Sequence, residues 1–213
     1  ESESRGLGDV YKRQPYSTRQ PSTFGYTYFG QRIDTDMSTT MPPSFPHGFT
    51  VMTNFRDRHT AESYYYFQKG ANSAEVASSL AACGKRLEHR LPEGKIIRWH
   101  LDNDMAYDGP AVSSVAADLV ERQSRGVAHE KNTNATAERD LGIVQEAVKA
   151  SLAYAGADGC LWPWAAAQYE KIGYFITTDA HAPPISPYRF SHPQRDPVDM
   201  TWAYPLFCDV TVH

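Results

Sequence analysis

Apolar and polar positions alternate along residues 31–39, QRIDTDMST, where Ile33 and Thr35 oppose Asp34 and Asp36, the period of two expected of a half-buried strand. Residues 49–55, FTVMTNF, and 62–68, ESYYYFQ, are rich in β-branched and aromatic side chains and flank a charged turn, RDRHTA. The three runs predict an antiparallel meander. The period then changes. Val76, Leu80, Leu87 and Leu91 recur at helical spacing behind Asn72 and Glu75, a capping-box start. Residues 95–102, KIIRWHLD, form a buried-type strand. PAVSSVAADLVERQ from Pro110 predicts a helix with Val112, Val115, Ala116 and Leu119 on one face, and GVAHE from Gly126 a short strand. Residues 134–156 predict a long helix with Leu141, Val144, Val148 and Leu152 as its core stripe. CLWPWAAAQYEKIGYFIT from Cys160 predicts another, and the chain beyond 181 reads as irregular and proline-rich. The order β-β-β-α-β-α-β-α-α implies an α/β domain. Its five-stranded mixed sheet joins the three-strand antiparallel meander to two parallel strands, with helices on both faces.

Composition narrows this only a little. The chain has 213 residues, of which 41% are hydrophobic and 12% aromatic, enough for one domain with flanking segments. A net charge of −4 does not advertise a nucleic-acid partner, although a local basic patch would escape the sum. Three scattered cysteines, Cys83, Cys160 and Cys208, form no C-x-x-C pair, so neither a zinc knuckle nor a disulfide framework is legible. A reduced, intracellular compartment is the expectation. No run of 18 apolar residues occurs, and no membrane partner is expected. Residues 1–14, ESESRGLGDVYKRQ, resemble a translated sequencing adapter and are set aside; residues 15–29 read as a lead-in linker. The chain stops at CDVTVH, which we read as the start of a C-terminal segment of a longer protein, over 191–213.

Candidate chemistry rests on three acids. Asp36 lies within the first strand, Asp102 at the end of the fourth, and Glu138 in the first turn of the long helix. If the first and fourth strands are neighbours, Asp36 and Asp102 emerge together, and a helix over that edge adds Glu138. Three converging carboxylates need cations to neutralise them, and their hard oxygens suit Mg²⁺ or Mn²⁺. Taken singly, each has an ordinary explanation: a strand acid is usually solvated, and a glutamate at a helix start complements the dipole. No Ser/His/Asp or Cys/His arrangement competes with them.

GQRIDTDMSTTMPPS, HLDNDMAYDG, NATAERDLGIVQEAV, SPYRF and LFCDVTVH, taken in this order, resemble the integrase of copia-type retrotransposons, within the retroviral integrase superfamily. The 35 residues between Asp102 and Glu138, with Arg139 directly after, are the most specific part. The resemblance implies a ribonuclease-H-like integrase catalytic core over residues 30–190, in which Asp36, Asp102 and Glu138 are the catalytic acids and hold two Mg²⁺ or Mn²⁺ ions. It implies polynucleotidyl transfer joining element DNA 3′ ends to target DNA. Implied partners are double-stranded DNA and further copies of the chain, and the implied location is the nucleus or a virus-like particle. Arg139 follows the third acid, and Gln145 and Lys149 share a helix face with Glu138, so all three are candidate DNA contacts. Asn134 is expected to cap the helix, and Asn103 to cap the strand end or orient Asp102. Trp162 and Trp164 are expected in the core, and the 56–60 turn is expected to be structural.

The chain also departs from the pattern. Asp104 stands where the family has glycine, Ala106 where it has glutamate, and Ala135 where it has a second glycine. His129 matches a family histidine, but the loop after it is short. Two other readings therefore stay open: a ribonuclease-H-like nuclease, and a degenerate or domesticated copy that binds nucleic acid without catalysis.

Overall fold

Alternation along β1 (Ile33–Ser38) sorts its side chains between two environments. Ile33 joins a buried cluster with Phe55 and Trp99, and Thr35 on the same face accepts a hydrogen bond from Trp99 Nε1 at 2.7 Å. Asp34, Asp36 and Ser38 face the other way. The computed structural model describes residues 25–126, 134–176 and 185–195. The first 24 residues, His129 with most of the strand expected from Gly126, and the LFCDVTVH motif lie outside the described residues.

The meander is present: β1 pairs antiparallel with β2 (Val51–Asp57), which pairs antiparallel with β3 (Ser63–Gln68). On its other side β1 runs parallel to β4 (Ile96–Leu101), which runs parallel to β5 (Val120–Arg125), giving the order β3-β2-β1-β4-β5. Parallel neighbours need crossovers, and α1 (Ser73–Leu87) and α2 (Pro110–Leu119) supply them. Asn72 caps α1 by accepting from the Glu75 amide at 3.1 Å, as its sequence predicts. The buried stripe of α1, Val76, Leu80, Cys83 and Leu87, packs with Val112 and Ala116 of α2 against the Ile33 face. The opposite face is covered by α3 (Ala135–Ala155) and α4 (Trp162–Gly173), whose Leu141, Val144, Val148, Leu152 and Trp162 enclose Met52 and Tyr65. Each such aliphatic side chain contributes about 1.5–3 kcal/mol when fully buried. Gly156 ends α3 in the left-handed region at φ 61°, and the Ala157 amide reaches back to the Leu152 carbonyl at 2.9 Å.

Two boundaries differ from expectation. The helix predicted over 110–123 stops at Leu119, and its expected last turn is instead strand, Val120–Arg125. This edge strand, VERQSR, is mostly solvent-facing and carries no apolar alternation; its pairing with β4 overrides a locally helical sequence. The proline-rich end is not wholly irregular either: α5 (Pro187–Ser191) forms behind Ser186, which accepts from the Arg189 amide, and Ser191 docks on Glu62. No helix among the described residues is long and apolar enough to cross a membrane.

Candidate active site

The parallel register that sets Thr35 beside Leu101 brings the next residues, Asp36 and Asp102, side by side at the carboxyl ends of β1 and β4. Asp36 is half-buried and Asp102 exposed. Glu138, also exposed, reaches this end because several bonds hold the first turn of α3 against the sheet. Asn134 Nδ2 donates to the Thr35 carbonyl at 3.1 Å. Arg58 bonds Thr136. Asn54, fully buried on β2 opposite Asp36, accepts from the Asp36 amide at 3.0 Å and donates to the Ala137 carbonyl at 3.3 Å and to Asp140 at 3.1 Å. Asp140 also accepts from the Tyr65 hydroxyl at 3.0 Å and pairs with Arg56.

The acids feel one another. Burial pushes the Asp36 carboxyl up to about 6; the Met37 amide opposes this, and the negative charges of Asp102, Glu138 and Asp104 add to it. The Tyr107 hydroxyl belongs to the same environment. Burial raises its pKa first, and Asp36, Asp104 and Asp102 raise it further. Only 2% exposed, Tyr107 has no hydrogen-bond partner for this hydroxyl among the described residues. The carboxylates are grouped but not converged: Asp36 Oδ1 accepts from the Met37 amide and Asp102 Oδ1 from the Asn103 amide, both at 2.8 Å. Among the described residues, no three His, Cys, Asp or Glu side chains are gathered tightly enough to enclose an ion. The donor chemistry nonetheless suits a divalent cation, because three carboxylates, all hard oxygen donors, stand at one end of the sheet.

The other predicted residues scatter. Arg139 is exposed beside Glu138. Gln145 does not point freely outward: its amide donates to Ser38 at the end of β1 and approaches the Met41 sulfur at 3.9 Å. Lys149 is exposed and pairs with Glu146 at 2.8 Å on its own helix. Asn103 ties the ends of β4 and β5, donating to the Gly126 carbonyl at 2.9 Å. Asn134 occupies the cap position of α3 without capping it: its nitrogen donates to the Thr35 carbonyl, and its oxygen takes no amide of the first turn. Trp162 is buried as expected and donates to the Pro42 carbonyl, but Trp164 is 39% exposed and stacks on His47. Asp57 makes the 56–60 turn structural by accepting from the Gly30, His59 and Thr60 amides. Neither lost glycine strains the backbone: Asp104 sits at φ −75° and accepts from the Ala106 amide, and Ala135 is the first residue of α3. Sequence reasoning missed Asn54, Asp140 and the Tyr107 hydroxyl. Only Tyr107 left a signal, as an aromatic side chain within HLDNDMAYDG close after Asp102.

No protein-family model matches the chain, and no curated protein matches it significantly. Solved structures do. A chain of the simian T-cell lymphotropic virus intasome, solved with the PP2A regulatory subunit B56 gamma, is 14% identical with a TM-score of 0.60 over 80% of this chain. This protein spans 57% of that chain's length. The HTLV-2 integrase catalytic core, solved with magnesium in a trimeric form, is 12% identical with a TM-score of 0.57, covering 76% of this chain and 97% of its own. The BIV integrase catalytic core is 12% identical with a TM-score of 0.50, over 75% of this chain and 92% of its own. Identities this low speak to architecture alone, and the architecture is the ribonuclease-H-like fold of retroviral integrase catalytic cores.

Proposed function

We propose that the chain is the catalytic core of a retrotransposon integrase of the copia type, a metal-dependent polynucleotidyl transferase acting on double-stranded DNA. One observation carries this reading. Asp36, Asp102 and Glu138, far apart in sequence, are brought to one end of the sheet by the β1–β4 register and the anchored first turn of α3, within a fold shared with integrase cores. Asp36, Asp102 and Glu138 would hold two Mg²⁺ or Mn²⁺ ions. Bound there, such ions neutralise charge on a reacting phosphate and make a water or a DNA 3′-hydroxyl nucleophilic at neutral pH. The chain's own contribution is placement. Strands β1 and β4 fix two acids in register, and the anchored first turn of α3 presents the third. Arg139 and Lys149 supply exposed cations for the phosphate backbone. Association of several copies on two DNA ends, in the nucleus or a virus-like particle, belongs to the same proposal.

A strand-transfer assay in Mn²⁺ tests it, comparing the wild type with Asp102→Asn and Glu138→Gln. Either substitution should abolish joining while leaving the fold intact. Joining that survives both would refute the assignment. One observation favours a second reading, a copy that binds DNA without transferring it: Asp36 and Asp102 are turned onto their own following amides. A folded wild type that binds DNA but joins none in Mn²⁺ would establish that reading instead.

A further inference from the structure

Three side-chain bonds meet at Asn54, and they join the two parts of the candidate site that come from different elements. Its oxygen takes the amide of Asp36, the residue carrying the first acid. Its nitrogen reaches the carbonyl of Ala137, directly before the third acid, and the carboxylate of Asp140, two residues after it. A carboxamide is the one common side chain with both an acceptor and two donors in a single plane. Aspartate here would set a second carboxylate against Asp140 and the Ala137 carbonyl. Leucine would leave the Asp36 amide without its side-chain acceptor and remove a donor from the Ala137 carbonyl and from Asp140, which keeps Tyr65 and Arg56. At 0% exposure no water replaces these bonds at low cost.

We infer that Asn54 is a positioning residue that sets the separation of Asp36 and Glu138 and so determines divalent-cation affinity at this site. The inference rests on the metal site proposed above. Asn54 touches neither DNA nor the acids' carboxyl groups; it acts through the Asp36 amide on one side and the first turn of α3 on the other. Outer-shell groups that orient metal ligands typically govern affinity by about 10- to 100-fold. The neighbouring bond from the Tyr65 hydroxyl to Asp140 provides an internal control, because it anchors the same helix turn without touching β1 at Asp36.

Manganese affinity, measured by electron paramagnetic resonance of free Mn²⁺, separates positioning from simple anchoring. The variants are Asn54→Ala, Asn54→Ser and Tyr65→Phe, each checked for folding by thermal melting in EDTA. Asn54→Ser, still polar but too short to bridge Asp36 and the α3 turn, provides a second variant if the alanine does not fold. The expected result is a loss of Mn²⁺ affinity of about 10- to 100-fold in the Asn54 variants, with Tyr65→Phe within about twofold of wild type even where its melting temperature falls. Folded Asn54 variants that bind Mn²⁺ like the wild type would overturn the positioning role and leave the metal site standing. A wild type that binds no Mn²⁺, or binds it equally after Asp36→Asn, would overturn the site itself and the positioning role with it.

Discussion

Asn134 donates its side-chain nitrogen to the carbonyl of Thr35 at 3.1 Å, fastening the start of α3 to β1 one residue before Asp36. Its oxygen is buried with no partner among the described residues. The two halves of one amide therefore act in opposite directions, and this sets the order of its variants. Asn134→Ala loses one bond but also removes the stranded oxygen, and should cost about 1 kcal/mol. Asn134→Asp faces a carbonyl with a buried carboxylate and should cost about 3 kcal/mol. Urea unfolding at pH 8 reads both; alanine costing more than aspartate would contradict this account of the contact.

Asp36 should make stability depend on pH in an unusual direction for a carboxylate. Its pKa rises from about 3.8 unfolded to about 6 folded. The folded state therefore holds the proton more tightly, and the associated stability is present below about pH 4 and lost as pH rises through 6. Asparagine resembles the protonated acid, so Asp36→Asn should stabilise the metal-free protein at pH 8 by about 1–3 kcal/mol, with much of the gain gone at pH 5. Unfolding in EDTA at the two pH values checks this. A destabilisation of equal size at both would show that neither burial nor its acidic neighbours raises the Asp36 carboxyl.

Tyr107 should tolerate loss of its hydroxyl. The ring packs edge-on to Trp99 with centroids 6.1 Å apart, and phenylalanine keeps that contact. Removing a buried, unpartnered hydroxyl should leave stability unchanged or raise it by up to about 1 kcal/mol without metal. A measured loss above about 1 kcal/mol in a calorimetric melt would mean that the hydroxyl has a partner in solution.

Legibility followed the range of the interactions. The meander, β4 and the stripe of α3 were readable because their patterns are local and periodic: Ile33 against Asp34, and Leu141, Val144 and Val148 on one helix face. The pairing of Asp36 with Asp102 was readable because two strands of one parallel pair end together. Strand β5 was not, since an edge strand of Glu121, Arg122 and Gln123 has no buried face to mark it. Asn54 was not, because its partners stand 18, 83 and 86 residues away and nothing in FTVMTNF distinguishes a polar core hub from a solvated asparagine. Asp104 and Ala135, which stand where the family has glycine, both take ordinary conformations, one in an Asp-capped turn and one in a helix. The inward turn of Gln145 onto Ser38 follows from where α3 crosses β1, which spacing along the helix does not reveal.

Anomalous diffraction from crystals soaked in Mn²⁺ tests whether Asp36, Asp102 and Glu138 form one divalent-metal site. Manganese peaks should lie among those three carboxylates, with Asp36 and Asp102 turned away from the Met37 and Asn103 amides they accept from at present. Well-ordered carboxylates at that end of the sheet with no manganese between them, at concentrations that saturate binding in solution, would contradict it.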